Sequence, residues 1–512
     1  MLRDNTIRRP GVSFFTLGTF VAIAVVALLA TMFVKALPAN SLADGTVPIL
    51  LDAGLFFLIL CVVVGTAMVR KVETRQLVYR CALTVWWILL VDETFFARVN
   101  TNYGMGAGHF SLYAYAEAAM WLVCWVVVLV LTLRSPGYVM QFFKGSSKWL
   151  SFFVMLCLAS IAWAPGPLYA LAWSVKLVLA VTLLQLCSSL MENIDDIILF
   201  FKVTAFAFLF LSILPVYYAT QDPDGFFFEG RLNADPDLLG PLAASLMLMS
   251  LLLYSVTKRR YWALTTGIGA FVMLLAFGKA GVVGGFLGAL LFMVLQRKVF
   301  RSLGLMIGLG GLGLILMSLT PLGGYIESYH GGSTLTGRTV IWGYAMHAIR
   351  QKPILGYGYL GTYFSWMNVS GLVAGAVHLH NGFLEVAYNN GLVGELLLLT
   401  VHFFMVTNIL SAMRTTRTLR MLQPASEQAW HAYLISIACL ALYIHTFLQG
   451  LLGGHFGGRC MSPYMLWLSL TIISAVIRRI SEKMLDQATL NKAPVYSSTG
   501  FAPLELVPVS QN

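Results

Sequence analysis

Arg231, Arg338, His378 and His380 are the residues whose types and placement can do chemistry. They stand in polar stretches of a chain that is otherwise 58% hydrophobic. Two guanidinium groups on different loops can converge on one anion, and their planar forks match phosphate oxygens bidentately. A neutral imidazole can take a proton from a hydroxyl. Each residue also has a plainer reading. The arginines can pair with acids such as Glu229 and Glu327 or face water, and a loop histidine can be a surface residue or a helix cap. Lys279, in FGKAG between two apolar runs, can assist an anion or snorkel to the surface. His445, Glu395 and Glu117 lie within apolar runs, where ionisable groups are functional suspects.

No metal or cofactor is expected. His378 and His380 have no carboxylate or cysteine beside them at ligand spacing. Two Asp-Pro-Asp triplets, Asp222–Asp224 and Asp235–Asp237, look like metal-binding D-x-D sequences. The first reads better as a turn. The second reads better as a helix N-cap followed by Pro at the first helical position. The chain has 7 cysteines and no CxxC, so neither a disulfide framework nor a zinc site is suggested.

Only 11% of the 512 residues are charged, well below the roughly 25% of a soluble domain. The chain is therefore read as an all-α polytopic membrane protein. Apolar runs of roughly spanning length fall at 12–34, 49–68, 77–91, 112–133, 149–163, 168–190, 197–219, 238–257, 261–277, 281–295, 303–320, 392–412, 429–450 and 462–477. They make about 14 transmembrane helices, with 12 as the alternative count. The net charge of +11 reflects cationic loops on one face rather than nucleic-acid affinity. With a cytoplasmic N-terminus, the inner segments hold the clusters, such as Arg3/Arg8/Arg9, Lys258/Arg259/Arg260 and Arg414/Arg417/Arg420. The outer segments hold scattered cations, among them Arg231, Lys279 and Arg338. Both termini are then cytoplasmic, and the long polar stretch faces outward.

Four regions follow: an N-terminal bundle (1–320), an outer loop with short helices (321–391), C-terminal spans (392–478) and a polar, disordered cytoplasmic tail (479–512). Within the loop, residues 335–351 have helical composition, ended by Lys352-Pro353. GYGYLG reads as a turn. Asn381 reads as an N-cap, opening a short helix that closes at Gly391.

These residues resemble a known family. GRTVIW, then KPILGYG, then His380-Asn381, nine residues, and Gly391-Leu-Val-Gly394 are similar to the signature of the O-antigen ligase / Wzy-type polymerase superfamily. The likeness is carried by about 337–394 and less fully by 225–250, with Arg231 as the upstream outer-loop arginine. Gly278-Lys279 departs from the Ser-Arg of many relatives.

The resemblance implies bacterial inner-membrane enzymes that pass a glycan from undecaprenyl pyrophosphate to a saccharide acceptor at the periplasmic face. It implies that Arg231 and Arg338 hold pyrophosphate and that His380, rather than His378, is the catalytic base. Lys279, His378 and Asn381 are expected beside the substrate. The count of 14 spans leans toward polymerising exopolysaccharide or O-antigen repeat units rather than ligation to lipid A–core of lipopolysaccharide. Expected partners are membrane lipids, the lipid-linked donor and the acceptor, with a chain-length regulator and a flippase beside them, and no nucleic acid. The rival from another class is a polysaccharide-lipid flippase or transporter. It would show inverted repeats and broken midplane helices, and no repeat stands out.

Overall fold

The computed structural model describes residues 74–96, 112–133, 145–220, 227–228, 231–232, 236–276, 278–296, 304, 308, 311, 338–365, 379–453, 456, 458 and 462–490. The apolar runs at 12–34, 49–68 and 303–320 lie outside the described residues, or nearly so.

Every other apolar run is a helix. In order they are α1 (Thr74–Phe96), α2 (Leu112–Leu133), α3 (Ser147–Ala159), α4 (Pro167–Leu190), α5 (Ile194–Ala219), α6 (Pro236–Thr257), α7 (Arg260–Ala276) and α8 (Lys279–Leu295). Next come two loop helices, α9 (Arg338–Gln351) and α10 (Gly361–Ser365), then α11 (Gly382–Leu422), α12 (Glu427–Gly453) and α13 (Ser462–Leu490). The one strand pairing among the described residues is a ladder of β1 (Phe227–Phe228) with β2 (Arg231–Leu232), which pairs Phe228 with Arg231. By length and composition, α4, α5, α6, α11, α12 and α13 can cross a membrane, so the protein is an all-α polytopic membrane protein.

Packing sorts the helices into one bundle. α6 lies against α7, α8 and α12, α11 against α12, α13 and α3, and α1 against α4 and α5. Small residues let α8 approach closely. A Cβ on Gly281 would stand 2.7 Å from the Gly240 carbonyl carbon, and one on Gly288 would stand 2.9 Å from the Ala441 oxygen. Two helices outrun their apolar runs. α11 carries Arg414, Arg417 and Arg420 on its last turns. Residues 479–490, expected to open the disordered tail, continue α13. Ile480, Ser481 and Ala488 are buried there and Arg478 pairs with Glu482 at 2.8 Å, so the helix keeps a packed face. Residues 491–512 lie outside the described residues.

α11 is two helices in one. Gly391 has φ 64° and ψ −166°, outside helical values. Along a straight helix residues 383 and 402 would be about 28 Å apart, yet the Phe383 and His402 rings lie 5.6 Å apart. Similarly, a Cβ on Gly394 would touch Val386 at 3.4 Å. The arm 382–390 therefore folds back along the arm 392–422, with no loop between them.

A break of this kind leaves carbonyls of the first arm and N–H groups of the second without helical partners. The GYGYLG turn supplies them. The N–H groups of Tyr357 and Gly358 donate to the carbonyls of Tyr388 (2.9 Å) and Asn389 (2.7 Å). In return Leu392 and Val393 donate to the carbonyls of Pro353 (2.8 Å) and Ile354 (3.3 Å). Gly356 (φ 63°) and Gly391 adopt left-handed backbone at this seam, and a Cβ on Gly391 would stand 2.2 Å from the Ile354 oxygen.

Candidate active site

The fold-back decides where His380 sits. Asn381 caps the first arm, its side chain accepting from the Leu384 N–H at 3.1 Å, as its sequence position predicts. Gly382 then packs on the end of α12: a Cβ there would stand 2.7 Å from the Phe456 nitrogen and 3.2 Å from the Gly450 oxygen. His380, half-buried just before the cap, is thereby held beside the C-terminal turn of α12.

Arg338 reaches the same turn from α9. Its Nη1 donates to the Leu452 carbonyl at 2.7 Å. Carbonyls in the last turn of a helix lack intrahelical partners and carry the negative end of the helix dipole. This partner is neither of the acids that the sequence offered. One bond leaves the other donors of a guanidinium with bonding capacity.

α9 is also tied directly to the segment before His380. One helical turn after Arg338, the Trp342 Nε1–H donates to the Leu379 carbonyl at 2.8 Å. Ile341, Ala345 and Ile349 of α9 bury against Leu379, Ala387 and Tyr388 in a cluster separate from the main core. Tyr357 stacks on Tyr388 (4.7 Å), and the Lys352 ammonium lies 4.6 Å above the Tyr357 ring.

The remaining expected residues divide. Lys279 opens α8 at this pole of the bundle and is exposed. Arg231 lies in β2, which packs against α7 and precedes α6; its side chain lies outside what is described. His378 lies outside the described residues, as does the Glu117 side chain. Pro236 is the first residue of α6, as the Asp235-Pro236 reading expects, whereas Asp222–Asp224 lie outside the described residues.

His445 lines a small cavity with Pro241, Ser245, Thr446, Gln449, Phe456 and Pro463, and its Nε2 lies 3.2 Å from the Pro241 oxygen. Phe456 belongs both to this cavity and to the seat of Gly382. Sequence reasoning passed over two groups. Trp342 was read only as part of GRTVIW. Glu385, one turn into the first arm, is fully buried, and neither carboxylate oxygen has a hydrogen-bond partner among the described residues.

Residues 240–399 match the family model described as O-antigen ligase. This segment is similar to the O-antigen ligase family. The match spans α6 to the upper part of α11, and so contains Arg338, His380 and the seam at Gly391. No curated protein gives a significant match to the chain. Glycosyl transfer of ligase or polymerase type, on lipid-linked glycan in a membrane, is the chemistry the O-antigen ligase family implies.

Proposed function

We propose that the protein is an inverting, metal-independent glycosyltransferase. It moves a glycan from undecaprenyl pyrophosphate to an acceptor sugar hydroxyl at the periplasmic face of the bacterial inner membrane, and so polymerises exopolysaccharide or O-antigen repeat units. The observation that carries this reading is the convergence on one helix end of Arg338, which donates to the Leu452 carbonyl, and of the His380 turn, whose Gly382 packs against Gly450 and Phe456.

The roles follow from charge. As the bond from the anomeric carbon to the pyrophosphate oxygen breaks, negative charge grows on the leaving group. Arg338, with Arg231 and Lys279, is the cation set proposed to hold that charge. Undecaprenyl pyrophosphate is a stable leaving group, so no general acid is required. The acceptor hydroxyl attacks from the opposite side, its proton passes to His380, and the anomeric configuration inverts. Asn381 fixes the turn that carries His380.

The fourteen apolar runs and the cationic clusters support polymerisation and cytoplasmic termini. Ligation to lipid A–core is the alternative within this chemistry. A flippase is the alternative outside it, and would release no undecaprenyl pyrophosphate.

Purified protein in nanodiscs, given lipid-linked repeat units and EDTA, should release undecaprenyl pyrophosphate and lengthen the glycan. Turnover only with lipid A–core makes it a ligase. Activity lost to EDTA and restored by Mg²⁺ brings the aspartate triplets back. Orientation has its own test: a cysteine replacing Ser333 should react with an impermeant maleimide in intact spheroplasts, and reaction only after lysis inverts the topology.

A further inference from the structure

We infer that Trp342 is a positioning residue that sets the backbone of His380 and couples it to Arg338. The inference rests on reading His380 as the base. His380 has φ 50°, in the left-handed region. A residue other than glycine is held there at a cost of about 1 kcal/mol or more, and stays only where its surroundings over-determine it.

Those surroundings can be named. The Leu379 carbonyl belongs to the same peptide unit as the His380 nitrogen. Fixing the direction of that carbonyl therefore fixes one side of the His380 φ rotation. The Trp342 indole N–H does this at 2.8 Å. Burial of Leu379 among Ile341, Ala345, Ile349, Ala387 and Tyr388 prevents the unit from swinging away. The other side is fixed by the Asn381 cap and by Gly382, wedged against Gly450 and Phe456.

An indole N–H only donates, so phenylalanine at 342 would keep the packing but leave the carbonyl without this donor. Trp342 lies one turn from Arg338, on the same side of α9. A single turn of helix thus spans from the carbonyl that Arg338 grips on α12 to the peptide that aims His380. The distance between leaving-group charge and base is set by that turn, and displacement of about 1 Å can cost a catalyst about 10²-fold.

The test is single-turnover transfer in nanodiscs, with donor binding measured on the same samples. Trp342→Phe should lower the rate constant about 10- to 100-fold at unchanged amplitude and unchanged donor affinity. A merely structural role would lower the amplitude instead. In a His380→Ala background Trp342→Phe should cause no further slowing, because the group it aims is gone. Benzothienylalanine at 342 replaces the N–H by sulfur at nearly constant shape; it should reproduce the slow rate even if the phenylalanine variant folds poorly. A wild-type rate for the benzothienylalanine protein, or additive slowing in the double variant, overturns the inference. A wild-type rate for His380→Ala alone overturns the reading of the base, and this inference with it.

Discussion

The two poles of the bundle treat a buried carboxylate in opposite ways. At the pole between α4 and α5 Asp196 is enclosed by partners, although Arg75 Nε is buried without one among the described residues. Arg75 lies 3.2 Å from Asp196 and 3.6 Å from Glu192, and also donates to the Leu190 carbonyl. Asp196 accepts from the Glu192 N–H at 3.0 Å, and its carbonyl accepts from the Tyr79 hydroxyl at 2.7 Å. Arg479 donates to the carbonyls of Ser188 and Met191, both at 2.9 Å. At the His380 pole the Glu385 carboxylate, the Asn390 amide and Gln449 Nε2 are buried without hydrogen-bond partners among the described residues. A closed network holds helices together. An open set of buried polar groups is costly to maintain and marks a place where something other than stability is served.

The sharpest way to break this contrast is to remove the base. His380→Ala should slow transfer about 10²–10⁴-fold with donor binding nearly intact, and His378→Ala should be milder. Single-turnover rates on purified variants decide it; the contrast collapses if His378→Ala is the more damaging. A smaller effect is expected from Arg338→Lys. An ammonium cannot reproduce the fork, so donor affinity should drop about 10-fold, read by isothermal titration in nanodiscs.

The smallest catalytic effect belongs to the closed pole. Asp196→Ala should lower stability by about 2–3 kcal/mol, less than the ~3–5 kcal/mol of a fully buried pair because Arg75 keeps some solvent contact. The rate constant of the folded protein should not change. Thermal unfolding and active-fraction titration separate the two, and a slowed rate constant would mean that the poles are coupled.

Hydropathy made most of the helices legible, because a membrane span must bury its backbone polar groups in helix. The cap at Asn381 was legible too, since an asparagine before a helical run has few other uses. Gly391 was legible only in part. A glycine there signals where a helix ends, but gives no direction for the chain beyond it. The fold-back depends on the turn at 353–358, whose backbone hydrogen bonds carry no side-chain signature. The partner of Arg338 was hidden for the same reason: the Leu452 carbonyl is a backbone group, and any residue at 452 would present it. Trp342 stood in a recognised motif, but only its bond to Leu379 separates it from an ordinary packing aromatic.

The seam at Gly391 also bears on how the protein is made. Until the 353–358 turn docks, the break leaves amides and carbonyls without their partners in the chain. Synthesis runs from N- to C-terminus, so that turn leaves the ribosome before residues 388–393 do. The complementary strip of backbone is therefore already present when the break emerges. Reversing that order, as a circular permutation opened between them would, makes the break emerge before its partner strip.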